Sequence, residues 1–234
     1  MLNVHPEWRE DLEAALEALN GDYRDFLQNG SYIPKREDIF NAFKTLPKSR
    51  VRYILFGQDP YPRPESATGY AFIDGAVENI FSSKGLDKRV NRATSLRNFV
   101  KMALVASGRL KGDDLSQEAI AGVEKSDLID SIFELRVNFE RNGVLLLNTA
   151  LVFENKNASN RHAKEWSPFV KRVLSGVEKD VKLILFGSIA KSVAKIPEAS
   201  PFEKIVLEHP YNHTFVLNQK AHELFGPMKL LEKE

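Results

Sequence analysis

The sequence predicts an α/β fold, a three-layer sandwich whose central four-stranded, mostly parallel sheet is flanked by helices. Two observations carry that prediction. Four short runs, residues 51–56, 144–147, 181–186 and 204–207, are nearly continuous in apolar residues, as strands covered on both faces are. Between them lie segments with apolar residues at helical spacing, and the order strand, helix, strand, helix, strand implies a mostly parallel sheet. The chain has 234 residues, 43% hydrophobic and 28% charged, with no repeat, low-complexity tract or break in composition. It reads as a single domain, 1–234, with enough apolar residues for one sizeable core.

Residues 1–46 form a helical lead-in, broken at Ser31-Tyr32-Ile33-Pro34. The first strand then enters Gly57-Gln58-Asp59-Pro60-Tyr61-Pro62-Arg63-Pro64. Gly57 lets the backbone turn, and the three prolines remove much of the conformational freedom of this loop. Asp59 is thereby held in place, in a segment bracketed by Tyr61, Tyr70 and Phe72. An isolated Asp-Pro is ordinarily a turn, but a stiff aromatic-bracketed stretch of this length is hard to explain as a connector. Residues 73–93 are an enlarged segment. Ser95 is placed as N-cap of a helix with Leu96, Phe99, Val100, Ala103 and Leu104 on one face. Leu128, Ile132, Leu135 and Phe139 mark a second helix, and a third runs from about 168 to 177.

Composition narrows the function. A net charge of +1 gives no global pull toward nucleic acid, so such a role rests on local patches. One is Lys84, Lys88, Arg89, Arg92 and Arg97, opposed only by Asp87; another is Arg161, His162 and Lys164. Charge runs are usually solvated faces, and the first patch reads equally as one. With no cysteine, disulfides, iron–sulfur clusters and Cys-based zinc sites are excluded. Five scattered histidines without metal-ligand spacing give no metal site, and no cofactor motif is present. No apolar run is long enough to span a membrane, and the first residues lack the basic and apolar regions of a signal peptide. The expected location is cytoplasmic.

Each predicted strand ends in polar punctuation: Gly57-Gln58-Asp59, Asn148-Thr149, Gly187-Ser188 and His209-Pro210. In parallel sheets ligands sit beyond the carboxyl ends of the strands, so all four are expected on one rim. Taken singly, Asn148 also reads as a turn cap and His209 as a structural histidine. Ser188 lacks the Gly-x-Ser-x-Gly elbow and reads as a helix N-cap that also touches a phosphate.

Gly57-Gln58-Asp59-Pro60-Tyr61 with Gly69-Tyr70-Ala71-Phe72 resembles the water-activating loop of the family 1 uracil-DNA glycosylases. Thr94-Ser95-Leu96-Arg97-Asn98, Leu145-Leu146-Leu147-Asn148-Thr149, Asn160-Arg161-His162-Ala163 with Trp166, Gly187-Ser188 and His209-Pro210 come in that family's order. The resemblance covers roughly 50–226. It implies a four-stranded parallel sheet and a DNA repair hydrolase that flips uracil out of DNA and cleaves its N-glycosidic bond. It also implies a monomer, uracil-containing DNA, single- or double-stranded, as partner, and a proteinaceous uracil-glycosylase inhibitor as a further one. The absence of cysteine sets the chain apart from the cluster-bearing uracil glycosylases.

The residue types suit that chemistry. Cleavage builds positive charge on the sugar and negative charge on the base, so it needs a fixed anion near one and donors near the other. Asp59 supplies the anion and orients a water toward C1′; His209 and the Gln58 backbone donate to uracil O2. The Asn148 carboxamide matches N3–H and O4, whereas cytosine presents the opposite pair. Phe72 stacks on the base, and Tyr61 fills the space a thymine methyl needs. Ser95 and Ser188 hold flanking phosphates, with Pro62 and Pro210 in the DNA-facing loops. The family's Ser-Pro-Leu-Ser after His-Pro is replaced by Tyr211-Asn212-His213-Thr214, so Leu217 first and Phe215 second are expected as the apolar wedge. The competing reading is a catalytically reduced, glycosylase-like DNA-binding protein, against which the intact Asp59 and His209 argue. A glycosylase for another base, and a flavodoxin-like module, which lacks its phosphate loop here, are further readings.

Overall fold

The computed structural model describes residues 2–233. In chain order the elements are α1 (Arg9–Glu17), α2 (Gly21–Asn29), β1 (Tyr53–Gly57), β2 (Phe81–Ser82), β3 (Gly85–Leu86), α3 (Lys88–Arg92) and α4 (Thr94–Ala106). Then come α5 (Gln117–Ala121), α6 (Ile132–Arg141), β4 (Val144–Asn148), α7 (Ser159–Glu165), α8 (Ser167–Gly176), β5 (Lys182–Phe186), α9 (Ile189–Val193), β6 (Lys204–Leu207) and α10 (Gln219–Phe225). They form two compact units. The first takes the chain up to Asp74 together with Gly143–Val206; the second takes Gly75–Asn142 and the residues from Leu207 onward.

The first unit holds the sheet, in the order β4-β1-β5-β6. The central β1 pairs in parallel with β4, from Tyr53↔Val144 to Gly57↔Asn148, and with β5, from Tyr53↔Lys182 to Phe56↔Leu185. Ile54, Phe56, Leu145, Leu147, Leu183 and Leu185 join one core with Trp8, Leu12, Phe43, Phe169 and Val173. Leu55, Leu146 and Ile184 alternate with them toward the opposite face and are as fully buried. Burial of β1, β4 and β5 on both faces makes the sheet the middle layer of a three-layer α/β fold, which is why these three strands read as continuous apolar runs, while in the edge strand β6 Val206 is exposed. Two runs start early. Val51 and Val181 are buried residues that close turns, through N–H bonds to Lys48 O (3.1 Å) and Glu178 O (3.3 Å), before their strands begin.

The helical lead-in belongs to this core. Trp8 and Phe43 meet edge to face at 5.1 Å, as do Trp166 and Phe169. Truncating a buried aromatic of this kind typically costs about 3–5 kcal/mol.

In the second unit Phe99 of α4 is central, with ring centroids 5.7 Å from Phe139, 6.3 Å from Phe215 and 5.0 Å from Phe225. A capping box fixes the start of α6: Ser131 Oγ accepts from the Glu134 N–H and the Glu134 carboxylate accepts from the Ser131 N–H. Leu128 thus precedes the helix that it was expected to share. The enlarged segment folds as the antiparallel β2–β3 hairpin and then α3, whose N-cap Asp87 accepts from the Arg89 N–H at 2.8 Å. Ser95 is not an N-cap. α3 ends at Ala93, whose N–H is tied back to Arg89 and Val90, and the chain re-enters helix at Thr94, leaving Ser95 inside the first turn. Among the described residues no helix is long and apolar enough to cross a membrane.

Candidate active site

Gly57 and Asn148 end paired strands, and this pairing organises the site in the first unit. A Cβ at position 57 would run into Asn148 Oδ1, so glycine is what lets the carboxamide lie across β1. The loop is then clamped to the continuation of β4. Thr149 N–H donates to Gly57 O (3.0 Å), while Ala150 N–H (2.9 Å) and Thr149 Oγ1 (2.8 Å) both donate to Gln58 O. Asn148 itself is buried, at 4% exposure, and its carboxamide has no hydrogen-bond partner among the described residues.

Asp59 is half-buried, and its Oδ2 accepts a hydrogen bond from Ser159 Oγ at 2.7 Å. Pro60 behind it is buried and Pro62 is exposed. The Tyr61 hydroxyl donates to Phe72 O at 3.4 Å. Burial first, and the charge of Asp74 second, push its phenol pKa up, so it remains a neutral donor.

Phe72 has φ +69°, in the left-handed region. For a bulky residue this conformation costs on the order of 1–3 kcal/mol and persists only where neighbours enforce it. They do so on both sides: Thr68 Oγ1 donates to Ile73 O (2.9 Å) and accepts from Tyr70 N–H (3.3 Å), and Ala71 N–H donates to Leu146 O (3.1 Å). The half-buried ring is tilted against Phe186 at the end of β5, with centroids 6.2 Å apart. One residue further, Gly187 takes φ +55° and Ser188 stands exposed before α9. Ser188 occupies the N-cap position, but its hydroxyl makes no capping bond, contrary to the sequence expectation.

Gln58, Asp59, Tyr61, Phe72 and Asn148 are thus brought together on the carboxyl ends of β1 and β4, with Ser188 just past β5. The remaining sequence-predicted residues belong to the second unit. His209 Nδ1 accepts from the Tyr211 N–H at 3.0 Å, which in a neutral imidazole leaves the proton on Nε2. Desolvation lowers the His209 pKa, an effect limited by the solvent exposure of the residue, and favours that neutral form. The Asn98 carboxamide fixes the next stretch by donating to Pro210 O (2.7 Å) and Tyr211 O (3.3 Å). Ser95 is partly exposed.

The two wedge candidates separate. Leu217 is 55% exposed, whereas Phe215 is fully buried and stacked on Phe99, so Phe215 is a core residue and no wedge. In the second basic group only Arg161 and Lys164 reach the surface. His162 is fully buried, with Nδ1 2.6 Å from Tyr23 OH, and Arg161 pairs with Glu154 at 3.1 Å while lying 5.0 Å over the Phe26 ring. In the first group Arg89 pairs with Glu78 and Arg97 donates to Asn91 O. Sequence reasoning missed Ser159, although it directly precedes the quoted Asn160-Arg161-His162 segment. It also left Tyr211, exposed beside His209, without a role. Among the described residues no group of His, Asp and Glu is arranged to hold a metal ion.

A carboxylate, an aromatic ring and a carboxamide thus stand at the carboxyl ends of parallel strands, where α/β enzymes hold their ligands. The model of the Uracil DNA glycosylase superfamily matches residues 43–225, and the chain belongs to that superfamily. The uracil-DNA glycosylase of Lactococcus lactis subsp. cremoris is 31% identical over 199 residues, covering 83% of this chain and 74% of that protein. The crystal structure of wild-type UNG from Nitratifractor salsuginis superposes with a TM-score of 0.97 at 55% identity, over 99% of this chain and 94% of the other. That of mimivirus uracil-DNA glycosylase shares the fold at a TM-score of 0.58 and 16% identity, over 89% and 70%.

Proposed function

We propose that the whole chain, 1–234, acts as one monofunctional uracil-DNA glycosylase: it flips a uracil nucleotide out of DNA and hydrolyses the N-glycosidic bond, releasing uracil and leaving an abasic site. The observation that carries this reading is the buried Asn148 carboxamide, without a partner among the described residues, on the strand beside the Asp59 loop. Its donor and acceptor match uracil O4 and N3–H, and cytosine would leave both sides unpaired. Phe72 stacks on the flipped base, and Tyr61 occupies the space of a C5 methyl. As the bond to C1′ lengthens, the Asp59 carboxylate faces the cationic sugar and orients the attacking water. The His209 Nε2–H and the Gln58 backbone stabilise the charge growing on O2. The water proton leaves to solvent or to Asp59, and the base departs as an anion that is protonated afterward.

Ser95 and Ser188 are assigned to the flanking phosphates, Pro62 and Pro210 to the DNA-facing loops, and Leu217 to the space vacated by the flipped nucleotide. The enzyme is proposed to act in the cytoplasm as a monomer, on single- or double-stranded DNA, without metal or cofactor, and to be open to a proteinaceous uracil-glycosylase inhibitor. The test is release of free uracil from single-stranded and duplex oligonucleotides in the presence of a chelator. Release under those conditions supports the proposal. DNA binding without release would favour a catalytically reduced DNA-binding protein.

A further inference from the structure

We propose that Ser159 is a positioning residue for Asp59, taking one carboxylate oxygen so that the other is presented to the water and the sugar. The inference rests on the role assigned to Asp59 above. The contact is direct: Ser159 Oγ lies 2.7 Å from Asp59 Oδ2, across 100 residues of sequence. Hydroxyl-to-carboxylate bonds of this length are charge-assisted, roughly twice as strong as neutral ones, and set the plane of the acceptor. A half-buried carboxylate on a loop would otherwise rotate about its last two bonds, and a reacting group displaced by about 1 Å loses on the order of 10²-fold in rate.

Ser159 is itself held. It opens α7, after a turn in which the Asn155 carboxamide oxygen accepts from the Asn157 and Ala158 N–H groups at 3.0 and 3.2 Å. Three residues on, on the same side of the helix, His162 is fully buried. Its ring bonds Tyr23 OH at 2.6 Å and packs 5.6 Å from the Phe26 ring. Tyr23 and Phe26 belong to α2, so the lead-in helix anchors α7, and α7 anchors the carboxylate.

The experiment compares single-turnover excision by the full chain carrying Ser159→Ala, Ser159→Thr, Asp59→Asn and the Asp59→Asn/Ser159→Ala pair. Ser159→Ala is expected to slow the chemical step about 10- to 100-fold with affinity for uracil-containing DNA unchanged. Ser159→Thr, which keeps the hydroxyl, is expected to restore most of the rate, a rescue that a merely structural residue would not give. In the Asp59→Asn background, Ser159→Ala should add no further loss. A normal rate in Ser159→Ala, a loss confined to DNA affinity, or full additivity in the pair would overturn the inference. Normal turnover in Asp59→Asn would instead overturn the role of Asp59 itself, so the two failures are distinguishable.

Discussion

The carboxamide of Asn148 lies directly over the bare Cα of Gly57, its register partner across two parallel strands. In the reading proposed for Asn148, specificity for the base then depends on a residue that has no side chain. Gly57→Ala is expected to drive the Asn148 side chain out of place or part the strand ends, an overpacking cost of about 1–3 kcal/mol. Uracil release should fall well beyond what the loss in melting temperature explains. Normal release from a folded variant would mean that the Asn148 position does not matter to the reaction.

Tyr61→Ala should admit the C5 methyl and permit some thymine excision, because exclusion by shape lasts only as long as the filling side chain is there. The check is base release from matched uracil- and thymine-containing oligonucleotides. Persistent uracil release with undetectable thymine release would place the guard elsewhere.

His209→Ala should lower turnover by about 10²–10³-fold, the scale of losing one preorganised donor to a developing oxyanion. Substrate affinity should change little, since the donor matters most once charge has moved to O2. A pure affinity effect would make His209 a binding residue.

Leu217→Ala and Phe215→Ala are expected to separate cleanly. The exposed Leu217 should be needed for duplex substrate far more than for single strands, because only the duplex requires the vacated space to be filled. Phe215→Ala should instead unfold the second unit more readily, by about 3–5 kcal/mol, with no strand preference. Equal losses on both substrates for Leu217→Ala would remove it as the wedge.

His162 makes stability depend on pH. Burial first, and the Arg161 charge second, lower its pKa below the ordinary 6.5. Between that lowered value and 6.5 the unfolded chain binds more protons than the folded one, so its contribution is complete above about pH 6.5 and is lost as the pH falls, by at most about 1.4 kcal/mol per pH unit. His162→Gln should be less stable than the parent at pH 8, with the gap narrowing toward pH 5.5. A constant gap across thermal melts would show that His162 does not titrate with folding.

The legible parts of the fold were those written in local pattern. β1, β4 and β5 announced themselves because both of their faces are buried, β6 by its apolar composition although Val206 is exposed, and the Asp59 loop because prolines and aromatics crowd one short stretch. What escaped was set by distant contacts. Nothing near Phe215 or Leu217 distinguishes an apolar residue stacked on Phe99 from one left in solvent. The capping role expected of Ser95 failed because the chain had already turned back into helix at Thr94. The Ser159 bond to Asp59 joins residues with no shared periodicity, so only the folded chain brings it into view.

The left-handed backbone at Phe72 bears on how this protein would respond to laboratory selection. Glycine or asparagine adopts that conformation at lower cost. A screen rewarding heat resistance alone would therefore favour them at position 72 wherever the relief exceeds the lost packing on Phe186. Such winners would be sturdier and would lack the aromatic shelf. A campaign to harden this chain has to hold position 72 fixed and look elsewhere for its gains.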